Sequence, residues 1–286
     1  MQYPQDSFFA NGGKKMSISV ALQVYTVRTD AKEDLRGTLA KVKEMGYEGV
    51  ELAGLYGHTP GEVREICEEL GLTVISAHVS YREMIADPER VLGDYAAIGC
   101  KFVVIPYLRE EDRPGCAGFD ALIANARMLG ALARRLGMRL LYHNHDFEFI
   151  KLDGKYALDI LYDEVSADLL ETELDTCWVR VGGEDPVKYI DKYAGRAPIV
   201  HLKDYVGEKT EGMYELIGID KKATADVQKF EFRYVGGGVQ DFPAILEACE
   251  RAGAEWVVVE QDSPSLDMTP IECAAASREY LKSIGY

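Results

Sequence analysis

One phrase recurs along this chain of 286 residues and limits what it can fold into. A helix-like segment stops at a glycine, a short apolar run follows, and a polar residue closes it. KEMGYEGVEL closes at Glu51, EELGLTVISAH at His78, RRLGMRLLYHNH at His143 and His145, KYAGRAPIVHLKD at His201, and ERAGAEWVVVEQD at Glu260. AAIGCKFVVIP follows the same plan but ends at Pro106. Glycine suits the stop, because it takes the left-handed position after a helix without a Cβ penalty. Short β-branched apolar runs suit strands covered on both faces.

Two further strands fit the gaps, SISVALQVY at 17–25 and LLETELDTCW at 169–178. Eight strand–helix units then fill residues 17–286. Residues 1–16 read as a flexible N-terminal extension, without the basic, apolar and small-residue order of a signal peptide. Strict alternation predicts a parallel sheet with right-handed crossovers. The expected fold is α/β, a single-domain (β/α)8 TIM barrel. A doubly wound open sheet is the alternative, but it usually carries a glycine-rich loop after its first strand, and QVYTVRTD has none. Two long connections, YLREEDRPGCAGFD and residues 205–240, are the natural places for lids and ligand contacts.

The net charge of −16 argues against nucleic acid and anionic membrane surfaces as partners. No apolar run reaches the ~18 residues of a membrane span. Six scattered cysteines form no CxxC pair and read as free thiols, so a cytoplasmic location is expected.

In such a barrel chemistry gathers at the C-terminal strand ends. Four of the five histidines fall there, with only His58 in a loop. Residues two apart on a strand share a face, so His143 with His145, and His201 with Lys203, face one mouth. Imidazoles mixed with carboxylates suit a borderline divalent ion such as Mn, Zn, Co or Fe, whereas Mg prefers oxygen. A ketone polarised by such an ion has an acidic neighbouring C–H, which a nearby carboxylate or histidine can remove. Blander readings stand beside these. A strand-end histidine can be a hydrogen-bonded core residue, Asp175 a helix cap, Glu51 a rim salt bridge and Lys203 a surface charge. Gly236-Gly237-Gly238 can be a phosphate cradle or, more simply, a flexible turn.

GYEGVEL, SAHVSY, YHNHDFEF, ELDTCWV, HLKD, VGGGVQDF and VVVEQD together make the chain resemble the xylose isomerase-like TIM-barrel superfamily. That superfamily is the sugar phosphate isomerase/epimerase and AP endonuclease family 2 group, with D-tagatose 3-epimerase, inosose dehydratase and endonuclease IV. The resemblance implies one divalent metal, Mn2+ favoured with Zn2+, Co2+, Fe2+ or Mg2+ in range. Its ligands would be His143, Asp175, His201 and Glu260. Most relatives place a glutamate where His143 stands, so an epimerase mechanism with two metal-bound glutamates loses one of its bases. His145 is the candidate replacement. Glu260, His145 and Lys203 are therefore the expected catalytic residues, and His78, Glu51, Trp178 and Tyr107 the expected substrate contacts. Endonuclease IV itself is excluded by Pro106 and Trp178, where it needs histidines.

The reading favoured on these grounds is a metal-dependent isomerase or epimerase of a keto-sugar. It would abstract a proton next to a metal-bound carbonyl and pass through an enediolate. A lyase or dehydratase using the same enolate is the alternative, with loss of water from an inosose or of the aglycone from a 3-keto-glycoside. A non-catalytic sugar-binding barrel is the second alternative. The partner is a small-molecule sugar, as readily uncharged as phosphorylated, and related barrels are often homo-oligomers.

Overall fold

The computed structural model describes residues 18–210 and 230–286; the expected extension at 1–16 lies outside them. Eight parallel strands close into a barrel: β1 (Ser19–Gln23), β2 (Gly49–Leu52), β3 (Thr73–His78), β4 (Phe102–Ile105), β5 (Arg139–His143), β6 (Glu171–Asp175), β7 (Ile199–Leu202) and β8 (Trp256–Val259). Each pairs with its neighbours in sequence, and β8 closes the ring on β1 through Ser19–Trp256 and Leu22–Val259. The open-sheet alternative is therefore eliminated.

The glycines of the recurring phrase act as expected. Gly46 and Gly99 cap their helices at φ of 95° and 100°, in the left-handed region. Inside the ring, Ala21, Ile75, Phe102, Val104, Leu141, Ile199 and Val258 form a small apolar plug. The much larger core lies between the sheet and the outer helices. Leu141, Ile199 and Val258 each stand two residues before a polar side chain, His143, His201 and Glu260. The plug thus supports a polar layer directly above it.

Two segments depart from expectation. The first strand stops at Gln23, whose side-chain oxygen accepts the Tyr25 N–H and turns Val24–Val27 into a 3-10 helix. DTCW, read as the end of a strand, starts a helix at Thr176–Val181 instead. Asp175 Oδ1 accepts the Trp178 N–H at 3.0 Å, which meets a donor that the helix itself leaves unpaired.

The connection after β7 holds an antiparallel hairpin, Asp204–Gly207 against Phe230–Arg233; residues 211–229 lie outside those described. The glycine run is neither a phosphate cradle nor a loose turn. The Asp204 carboxylate fills it, accepting N–H groups from Tyr205, Gly236, Gly238, Val239 and Gln240 at 2.8–3.1 Å. A Cβ at Gly238 would lie 2.3 Å from Asp204 Oδ1, so glycine is required there. In Asp204→Asn, an amide NH2 in place of Oδ2 faces the two donors of Gly236 and Gly238. That change should cost about 2–3 kcal/mol in urea unfolding, the scale of lost charged hydrogen bonds. Among the described residues no helix is long and apolar enough to cross a membrane.

Candidate active site

The polar layer is buried. His143, Asp175, His201, Lys203 and Glu260 are each at most 4% exposed. His201 Nδ1 lies 3.0 Å from Glu260 Oε2, and His143 Nε2 lies 3.7 Å from Asp175 Oδ2. Ligand atoms of His143, Asp175, His201 and Glu260 all lie within 4.8 Å of one another. Donors about 2.0–2.1 Å from one tetrahedral ion would stand roughly 3.3 Å apart, so this cluster needs little adjustment to hold one. Asp175 Oδ2 is buried with the Lys203 ammonium 3.2 Å away, so this oxygen already faces positive charge. The quartet expected from sequence is thus assembled in space.

Beneath it lies a carboxylate floor. Glu51 Oε1 stands 2.8 Å from His201 Nε2 and 3.1 Å from His78 Nε2, while Glu173 Oε2 stands 2.6 Å from His78 Nε2. Gln23 and Ser76 donate to Glu51, both at 2.6 Å. Burial alone would raise the Glu51 carboxyl, but His78 and His201 outweigh it and hold it well below its usual range. Burial would likewise lower His78, yet Glu51 and Glu173 bring it up to about 10.

Lys203 Nζ sits among three carboxylates: Glu260 at 2.8 Å, Asp262 at 3.0 Å and Asp175 at 3.2 Å. Burial disfavours its charge, but Asp175, Asp262 and Glu260 keep the ammonium well above its ordinary value. His145 behaves in the opposite way. It is ringed by Tyr107, Phe147, Trp178 and His143 at 5.1–5.4 Å between centroids. Burial, then the charge of Lys203, push its imidazole well below its usual range, so it is neutral. Glu148 fixes its backbone by accepting the His145 N–H at 2.8 Å, and takes a second hydrogen bond from Tyr142 OH.

A cleft of about 420 Å³ opens onto His78, Tyr107, His143, His145, Lys203 and Glu260. That volume lies in the range of small-molecule sites. Two expected substrate contacts are displaced from it. Glu51 and Trp178 are fully buried and absent from the lining, Glu51 in the floor and Trp178 behind His145. His58 stays away from the cluster, in the loop before the helix that begins at Pro60.

A family model for the xylose isomerase-like TIM barrel matches residues 39–284. The chain belongs to that family. An inosose dehydratase from Lacticaseibacillus casei is 24% identical over 257 residues, 82% of this chain and 85% of that protein. Among solved structures, a sugar phosphate isomerase/epimerase from Parabacteroides distasonis ATCC 8503 aligns with a TM-score of 0.73 at 19% identity, covering 96% of this chain and 97% of that one. The IOLI protein, solved with a binding zinc atom, aligns with a TM-score of 0.68 at 15% identity over 93% and 98% of the two chains. At such identities the structures share the fold.

Sequence reading missed two members of this xylose isomerase-like site. Glu173 lies two residues before Asp175 on β6, so the same two-residue parity that paired His143 with His145 marked it as inward-facing. Glu148 carried no local signal, since only the turn after β5 brings it under His145.

Proposed function

We propose that this barrel is a lyase of the dehydratase type, removing water or another β-substituent from a sugar-derived ketone. The observation that carries the reading is the unlike pair lining one cleft: an imidazole at His145 set among aromatic rings, and the Lys203 ammonium held by three carboxylates. An imidazole and an ammonium facing one substrate supply the base that takes the C–H proton and the acid that meets the departing oxygen. Likeness to inosose dehydratases along most of both chains supports the same choice over the isomerase expected first.

The divalent ion fits His143, Asp175, His201 and Glu260, and when bound it would act as a Lewis acid toward the ketone oxygen. The zinc of the IOLI structure supports a divalent ion without fixing which one. His145 takes the proton from the carbon next to the ketone. The electrons of that C–H bond form the new C=C bond as the C–O bond to the β-substituent breaks. Lys203 gives its proton to the departing oxygen, and Asp175, Glu260 and Asp262 hold the ammonium in place before transfer. His78 and Tyr107 line the cleft and contact the sugar. Glu51 and Trp178 act from behind the lining.

The test is incubation with an inosose and with a 3-keto-glucoside in D2O, followed by NMR and mass spectrometry. A product lighter by water or by the aglycone supports elimination. Deuterium uptake with the full substrate mass retained would return the reading to an isomerase or epimerase. His145→Gln should retain the ion and lower turnover about 100-fold, the lower range for loss of a general base. Loss of metal from that variant would make His145 a ligand instead.

A further inference from the structure

A single carboxylate oxygen touches three histidines. Glu173 Oε2 lies 2.6 Å from His78 Nε2, 3.1 Å from His143 Nδ1 and 3.2 Å from His201 Nε2. The glutamate is fully buried, and no assigned role uses it. His143 and His201 each turn one nitrogen down to this floor and the other up toward the proposed ligand quartet. They do so with opposite atoms: His143 presents Nε2 upward, and His201 presents Nδ1.

A neutral imidazole has one N–H and one lone pair, and an ionised carboxylate only accepts. For His143 the floor contact at 3.1 Å is within hydrogen-bond range, whereas Asp175 at 3.7 Å is not. For His201 the floor offers two carboxylates, Glu51 and Glu173. The upper partner, Glu260, lies 3.0 Å from Nδ1 and is itself a proposed ligand, so an ion would stand between them. An ion on the two upper nitrogens takes their lone pairs, which leaves each N–H on the floor side, His143 Nδ1 against Glu173 and His201 Nε2 against Glu51 and Glu173.

We infer that Glu173 is a positioning residue that fixes these two histidines in opposite tautomers, His143 for coordination through Nε2 and His201 through Nδ1. The inference rests on the metal quartet of the proposed function but not on the reaction. Carboxylates behind metal-bound histidines raise their basicity and set their orientation, and their loss typically lowers affinity 10–100-fold.

The experiment uses zinc alone, with no substrate. Two-bond 1H–15N spectra of the zinc-loaded, 15N-histidine protein should show one ring bound through Nε2 and one through Nδ1. Glu173→Gln should weaken zinc 10–100-fold in chelator competition and perturb both rings. Glu51→Gln should shift His201 but leave His143 unchanged, which a general loosening of the barrel would not do. Two ligands of the same tautomer, or zinc affinity in Glu173→Gln within twofold of wild type, would overturn the inference. So would failure to bind zinc, or a fall from two zinc ions per chain to one, which would make Glu173 a ligand. If Glu173→Gln does not fold, the wild-type spectrum still decides. A negative elimination assay with these spectra intact would refute the reaction and leave the tautomer assignment standing.

Discussion

Asp175→Asn should empty the metal quartet while leaving the barrel folded. The Asp175 side chain does two separable things. Oδ1 caps the helix Thr176–Val181 by accepting the Trp178 N–H, and asparagine caps as well as aspartate. Oδ2 is the anionic oxygen aimed at the quartet and at Lys203 Nζ, 3.2 Å away, and the substitution replaces it with an amide NH2, which cannot ligate. Elemental analysis of purified wild type is expected to give about one divalent ion per chain, and the variant close to none after dialysis. Turnover should fall by roughly 10³ or more, because the Lewis acid supplies several kcal/mol and each 1.4 kcal/mol is a factor of ten. The melting temperature of the variant should fall below that of chelated wild type, which lacks the stabilising ion but keeps the contact of Lys203 with the Asp175 carboxylate. A fully loaded variant would remove Asp175 from the ligand set.

Lys203→Met should give the largest loss of stability. Methionine keeps the length of the stem against Trp178 and Phe232, but it leaves Asp175, Glu260 and Asp262 buried without their cation. Breaking a buried ion pair from one side costs about 3–5 kcal/mol. In chelator the loss should be full; with a divalent ion bound it should shrink, because the ion neutralises Asp175 and Glu260. The sign with pH follows from Asp262. Burial already raises its carboxyl, and the lysine is what holds it down. Without Lys203 its folded pKa moves further above the unfolded value. Such a group stabilises the fold at low pH and loses that contribution as pH rises through the folded value. The deficit of the variant against wild type should therefore widen between about pH 5 and pH 8 in urea titrations. A deficit independent of both metal and pH would mean that packing against Trp178 and Phe232, not charge, is what Lys203 provides.

The glycine-marked repeat made the barrel legible because each unit repeats one local solution, a helix stop followed by an apolar strand. The four members of the quartet were legible for a related reason, since strand ends in this fold face a common mouth. Glu173 was harder to see. An ionised carboxylate in mid-strand usually signals a solvated edge, and only His78, His143 and His201, brought from three other strands, make its burial tolerable. Glu51 at the end of its strand and Trp178 just past the end of another carried the right chemistry for the mouth. Their depth depended on Gln23, Ser76 and the ring of His145, none of which a single segment reveals. The fate of the glycine run was likewise written elsewhere, in Asp204.

That last arrangement affects which ligands this end of the barrel can accept. Five backbone N–H groups converge on one point, and the chain has placed its own anion there on a tether of fixed length. A phosphate ester arriving from solution would compete with an intramolecular rival whose effective concentration is at least millimolar, and it would have to strand a buried carboxylate to win. The loop is thus closed to phosphoryl groups by self-occupation, and a substrate recognised through its ring hydroxyls and ketone faces no such rival.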